Sequence, residues 1–265
     1  MKHFNPVKAM LGLAAALALA FLLVPLLLVV AVSFSPSVIF DLPSRGLSLR
    51  WYEAVGSLTS FWRALRVSIE IAAVATAAAV ILGTMAAFAI HFGRFRGAAA
   101  IQAFVMSPLM LPGIVKGIAL LQASRMFGLS DAFLLLAIGH TVLAIPLVAR
   151  TLLASLASFD PSIIDAARTL GYSYSSALAR IVVPNLLPGI FTGGVFAFLA
   201  SFDNYSVSLF VASVRARPLP IQMIQYLEEG ADPTVAAICT ILIVVTAILL
   251  LLADRAVGLR RIAAG

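Results

Sequence analysis

Six long stretches of the chain carry no Lys, Arg, Asp or Glu: residues 9–40, 71–90, 97–115, 132–149, 181–202 and 233–253. A helix crosses the roughly 30 Å hydrocarbon core with about 20 apolar residues, range about 17–25. The pattern therefore predicts an all-α polytopic membrane protein with six transmembrane helices. They run over about 9–33, 64–90, 98–122, 132–150, 185–210 and 233–253, in one transmembrane domain over 1–265. Lys2, His3 and Lys8 precede the first stretch as they would a secretory leader. A leader's apolar part is about 7–15 residues, whereas this one runs to the polar turn at 33–36. It is read as an uncleaved spanning helix.

Composition agrees with the pattern. Hydrophobic residues make up 62% of the 265 and charged residues only 11%, against about 45–50% and about 25% in soluble domains. This excludes a water-soluble globule, and also disorder, which needs low hydrophobicity and high charge. The lone Cys239 lies in the last stretch and forms no intrachain disulfide. Orientation follows Lys and Arg in short loops. With both termini cytoplasmic, the inner segments hold Lys2, Lys8, Arg94, Arg96, Arg150, Arg168, Arg180, Arg255, Arg260 and Arg261 against Asp160, Asp165 and Asp254. The outer segments, with Arg45, Arg50, Arg63, Arg66, Arg125, Arg215 and Arg217 against Asp41, Glu53, Asp131, Glu228, Glu229 and Asp232, are nearly balanced. A basic inner face beside anionic membrane lipid accounts for the net charge of +7, so no nucleic-acid partner is needed.

The one long inner loop, 151–185, has a pattern of its own. Asp160 suits a helix N-cap and Pro161 a first helical position. Gly171 suits the left-handed position that closes a helix, and Ser173 caps a second short helix expected to stop near Pro184. Ile163, Ile164 and Ala167 give the first limb an apolar stripe; Leu178, Ile181 and Val182 do so for the second. Patterning leaves two readings open, a rigid knob for another protein and a hairpin resting on lipid.

Residues 159–184 resemble the EAA loop of binding-protein-dependent ABC importer permeases. That family's pattern is Glu-Ala-Ala, three residues, Gly, nine residues, Ile-x-Leu-Pro. Here it reads Asp165-Ala166-Ala167, three residues to Gly171, nine residues, then Ile181-Val182-Val183-Pro184. Asp165 replaces Glu and Val183 replaces Leu. The resemblance implies the type I importer permease fold and a cytoplasmic helix–turn–helix coupling loop that docks into an ATPase subunit, with Asp165, Ala166, Ala167, Arg168, Gly171, Ile181 and Pro184 as its residues. Asp165 and Arg168 are placed to pair with each other or with that partner. It further implies a second permease subunit, two cytoplasmic ATPases that hold ATP and Mg, a periplasmic or extracellular substrate-binding protein, and a place in the bacterial inner membrane. This chain itself is expected to hold no cofactor and to be no enzyme: a phosphate loop needs Gly-Lys-Ser/Thr, and none of Lys2, Lys8 and Lys116 follows a glycine.

The resemblance extends over about residues 63–255. The blocks at 108–119, 140–146, 201–210 and 232–234 are similar to permeases of spermidine/putrescine importers, specifically the second, shorter subunit. Permeases for ferric iron, thiamine, phosphonates and opines share parts of them. Polyamines are thus the first expectation for the cargo and those other solutes the alternative. An ion-gradient-driven secondary transporter is the rival from another class, but it would need paired ionisable groups at mid-depth. Ionisable groups near or within the spans are pathway candidates: Asp203, with its neighbours Asn204 and Tyr205, then Lys116 and Glu70. Glu70 also has Arg66 one turn away. Lys116 would repel a polyamine if it lined the path. His140 is read as a hydrogen-bonded structural residue with no partner spaced for a metal site. Gly113–Gly117 and Gly189–Gly193 allow close helix contact, within the chain or between subunits. The outer segment 213–232, with Glu228, Glu229 and Asp232, is a candidate contact for the binding protein.

Overall fold

The computed structural model describes residues 6–38, 46–93, 96–230 and 232–257. Of the charges weighed above, Lys2, Asp41, Arg45, Arg94, Arg260 and Arg261 lie outside these residues, as do the side chains of Lys8 and Asp254. The described residues form helices and no strand. In order they are α1 (Pro6–Ser33), α2 (Arg50–Ser57), α3 (Thr59–Phe92), α4 (Ala98–Met110), α5 (Gly113–Met126), α6 (Ala132–Ala157), α7 (Ser162–Thr169), α8 (Tyr174–Ala177), α9 (Val183–Phe202), α10 (Tyr205–Val211), α11 (Leu219–Gly230) and α12 (Thr234–Val257). Among the described residues five stretches are long and apolar enough to cross a membrane, Met10–Ser33, Thr59–Phe92, Ala132–Ala157, Tyr174–Phe202 and Thr234–Leu252, and six if the bent pair α4 and α5 makes one span.

Three expected boundaries are corrected. The continuous helix expected over 98–122 is two helices, α4 and α5, bent by 104°. Pro112 has no N–H to continue α4, and the residue before a proline is driven to extended backbone; Leu111 sits at φ −82°, ψ 138°. The helix expected over 185–210 breaks after Phe202. Asn204 is extended at φ −79°, ψ 96°, and its side chain accepts from the Val207 N–H to start α10. The third helix end, expected near Pro184, is absent. α8 runs through a π turn, Leu178–Val182, into α9. The ring of Pro184 crowds the carbonyl one turn back. The wider turn, closed by the Val183 N–H on the Leu178 carbonyl five residues earlier, makes room for it.

The chain divides into two compact units. The larger, residues 60–224 with the end of α12, is built around α6. Small residues let its neighbours approach: a Cβ on Gly83 of α3 would lie 2.8 Å from the Val148 side chain, and one on Gly193 of α9 would lie 3.2 Å from the Val148 backbone. Val148 is thereby held between α3 and α9. Gly189 likewise faces Ser155 of α6, while Gly113 and Gly117 face Ser206 and Phe210 of α10. Both glycine pairs thus make close contacts inside this chain. One apolar cluster gathers Ile71, Leu135, Leu136, Val207, Val211 and Ala216. A second, farther along α3 and α6, gathers Ala87, Val148, Leu152 and Leu156 with Ile164, Ala167, Ala177 and Val182.

In the smaller unit, residues 1–59 and 225–249, α2 is stitched to the end of α1. The Trp51 indole N–H donates to the Ser35 carbonyl at 2.8 Å, and the Tyr52 and Ser33 hydroxyls are 2.7 Å apart. At the turn into α12, Asp232 accepts from the Thr234 N–H at 2.9 Å and from the Tyr226 hydroxyl at 3.2 Å.

Candidate functional site: a helical hairpin and two broken spans

The hairpin begins where Asp160 accepts from the Ser162 N–H at 2.9 Å. These Ser162 donors hold the Asp160 carboxyl below the usual range, because they favour its charged form. α7 then turns one face inward. Ile164 and Ala167 are buried against Leu156, Ala177 and Val182. Asp165, Ala166, Arg168 and Thr169 point outward and are exposed. Two of the three stripe residues, Ile164 and Ala167, therefore rest on the protein's own bundle, while Ile163 is exposed.

Gly171 closes α7 at φ +91°. Its N–H donates to the Arg168 carbonyl at 3.1 Å, and the Tyr172 N–H reaches the Ala167 carbonyl at 3.2 Å. Together these are the two bonds of a Schellman end. Ser173 caps α8 by accepting from Ser176. An open hollow of about 620 Å³ lies on the outward side, lined by Asp165, Arg168, Gly171, Tyr172 and Tyr174. Among the described residues Asp165 and Arg168 form no ion pair with each other; the one such pair is Arg66–Glu70. Ile181 packs on the apolar cluster, and Pro184 is exposed at the start of α9.

The pathway candidates separate. Glu70 is held by Arg66 at 2.7 Å. Lys116 donates its ammonium to the Pro108 carbonyl at 2.9 Å. That carbonyl would ordinarily accept from residue 112, which is proline and has no N–H to give. Lys116 thus supplies the hydrogen bond that the bend between α4 and α5 removes. Replacing Lys116 with methionine is expected to cost about 1–3 kcal/mol of stability by stranding that carbonyl. The melting temperature in detergent should fall, while substrate concentration for half-maximal uptake stays unchanged. Unchanged melting with altered uptake selectivity would return Lys116 to the pathway.

Asp203 differs. It is the C-cap of α9, is exposed, and its carboxylate has no hydrogen-bond partner among the described residues. Asn204 spends its side-chain oxygen on Val207, and Tyr205 presents an exposed ring at the head of α10. The structure thus groups Asp203, Asn204 and Tyr205 at one break, with Glu70 and Lys116 committed to local partners.

The same break contains a network whose members the sequence did not pair. His140 of α6 is 1% exposed. Its Nδ1 lies 2.9 Å from Ser201 Oγ, just before the break, and its Nε2 lies 3.1 Å from Ser208 Oγ, just after it. Ser208 donates to the Asn204 carbonyl at 2.6 Å. Its oxygen therefore accepts from His140 Nε2–H, leaving Nδ1 to accept from Ser201. A neutral imidazole bridges the two ends of the broken span. Two serines straddling Asp203 in an apolar run were the available signal.

Comparison with known proteins now bears on this arrangement. The sequence pattern of the family described as binding-protein-dependent transport system inner membrane component matches residues 79–261. The spermidine/putrescine transport system permease protein PotC of Haemophilus influenzae is 32% identical over 235 residues, 89% of this chain and 91% of that protein. The putrescine transport system permease protein PotI of Escherichia coli K12 is 30% identical over 234 residues, 86% and 83% of the two chains. A chain of a bacterial ABC transporter involved in the import of the acidic polysaccharide alginate superposes with a TM-score of 0.67 over 97% of this chain and 99% of that one, at 16% identity, a likeness of fold.

Proposed function

The chain belongs to the family of inner membrane components of binding-protein-dependent transport systems, and on that premise we propose that it carries polyamines through the membrane with both termini inside. As a member it is a multi-pass inner-membrane permease subunit of an ABC importer, not an enzyme, and works with a partner permease, an ATPase and a binding protein. The finer reading is a pair of homologous permeases over two ATPases, which hold ATP and Mg, with this chain forming half of the pathway.

The hairpin 159–184 is the piece that meets the ATPase. Its outward face offers Asp165 and Arg168, unpaired with each other, beside the hollow at Gly171. Its inward face belongs to the bundle, so displacement by a closing ATPase pair becomes displacement of α6 and α9.

The observation that carries the polyamine reading is the break at Asp203, taken with the relatives' cargo. A polyamine is a flexible polycation. An unpartnered carboxylate beside an exposed aromatic ring offers it charge attraction and a cation–π face. Lys116, which would oppose it, is tied to a backbone carbonyl. The test is uptake of labelled spermidine or putrescine into proteoliposomes holding the complete importer, with ATP inside and the loaded binding protein outside. ATP-dependent uptake of a polyamine is expected, with Asp203→Asn lowering its rate about tenfold, or about 1.4 kcal/mol. Uptake of an opine or phosphonate in place of polyamines would overturn the cargo and leave the permease standing.

A further inference from the structure

At the other end of the larger unit from the hairpin, three guanidinium groups share one small cavity. Arg63 comes from the start of α3, and Arg215 and Arg217 from the loop before α11; Ser60 and Gln222 complete the polar lining. Its volume is about 140 Å³, and among the described residues no acidic side chain lines it. The position follows from the two apolar clusters: Phe88 and Phe92 of α3 pack with the hairpin, whereas Ile71 packs with Val211 and Ala216 beside the loop.

The loop is fastened to α3. The Leu219 N–H donates to the buried Ser68 hydroxyl at 2.7 Å. Ser213 closes a turn on Ala216 in both directions, N–H to carbonyl and hydroxyl from N–H, each at 3.2 Å. Arg215 is therefore held on a fixed turn, and little ordering remains to be done when a ligand arrives.

The chemistry of the cavity narrows its occupant. Arg63 and Arg215, with no acidic side chain among the described lining residues, oppose a polyamine, so this is no part of the proposed pathway. A cavity of 140 Å³ takes one side chain; a drug-sized ligand needs about 300–1,000 Å³. The occupant that matches this charge is a carboxylate, and the family is named for its dependence on a binding protein.

We propose that the cavity of Arg63, Arg215 and Arg217 is the socket into which an acidic side chain of the substrate-binding protein inserts when it docks. This rests on the permease reading above and adds to it the site of contact. It also moves that contact off the acidic end of 213–232, where Asp232 is committed to Tyr226 and Thr234, and Glu229 to Gln225 at 2.7 Å.

The test is ATPase activity of the complete importer in nanodiscs, titrated with spermidine-loaded binding protein. The double variant Arg63→Gln, Arg215→Gln is expected to need at least about tenfold more binding protein for half-activation, with basal activity and ATPase content unchanged. Rim charges act chiefly on association and its salt dependence. Half-activation of the wild type should therefore rise with added salt, and the variant should have lost most of that response. Arg63→Lys, Arg215→Lys should keep most of the affinity, which separates charge from folding. An unshifted half-activation in the double variant overturns the socket. So does a shift seen in phosphatidylglycerol nanodiscs and absent in phosphatidylcholine, which assigns the cavity to a lipid headgroup. A wild-type complex that no loaded binding protein stimulates removes the permease reading itself, and the socket with it.

Discussion

Replacing Gly171 with valine is expected to strip the ATPase from the purified complex while the permease still inserts in the membrane. Gly171 sits at φ +91°, where an L-residue costs roughly 1–2 kcal/mol and a β-branched one more. A Cβ at this position would meet nothing within 4 Å, so crowding is not the cause; the penalty is conformational. Moving φ to negative values breaks the Gly171–Arg168 and Tyr172–Ala167 bonds, each worth about 0.5–1.5 kcal/mol. Tyr172 and Tyr174 then swing away from Asp165 and Arg168, and the hollow loses its shape. ATPase recovered with the tagged permease should fall at least about tenfold, since about 1.4 kcal/mol is a factor of ten. Gly171→Asn is the control, because asparagine tolerates the left-handed region, and it should retain most of the ATPase. Wild-type recovery in the valine variant would show that the hairpin is not the coupling element.

The second large effect lies at His140. His140→Leu removes the bridge between Ser201 and Ser208, both almost fully buried. Hydrogen bonds between membrane helices average about 0.6 kcal/mol and reach about 1.7, so the pair is worth about 1–3 kcal/mol. The loss falls where α9 and α10 meet, so Asp203 and Tyr205 lose their fixed placement. Uptake is expected to drop about tenfold at unchanged expression. Double-mutant cycles with Ser201→Ala and Ser208→Ala should show the coupling: each serine change should matter in the wild type and hardly at all beside His140→Leu. Full additivity, or wild-type uptake in the leucine variant, would sink the bridging role.

What was legible in the sequence follows from how locally each feature is encoded. The hairpin could be read because a helix end with a left-handed residue is written in one glycine and its flanking caps. Long apolar runs marked the helices, since a bilayer imposes length on them directly. The bend at Pro112 could not be read. Pro25, Pro108, Pro146 and Pro188 sit inside unbroken helices, so a proline alone does not announce a break. The choice at residue 112 goes with packing: Gly113 and Gly117 bring α5 against Ser206 and Phe210 of α10, a contact with a segment far along the chain. The same distance hid the network around His140, whose partners are 61 and 68 residues away. Lys116 was misleading for a related reason. A lone ammonium in an apolar stretch suggests a passing ion until the orphaned carbonyl one helical turn beyond the break comes into view.

The clamp on Val148 has a mechanical consequence. With Gly83 on one side and Gly193 on the other, α3, α6 and α9 have no slack in which to slide, and the hairpin is welded to their end through Ile164, Ala167 and Ala177. On the proposed coupling role, a stroke delivered at α7 is expected to pass along these helices and emerge at the first compliant joints. Those joints are Leu111–Pro112 and Asp203–Asn204, each a short run of backbone between two helices and each bridged by one polar side chain, Lys116 or His140. The proposed coupling thus puts the gearing of this permease in those two joints and not in the long helices that make up its bulk.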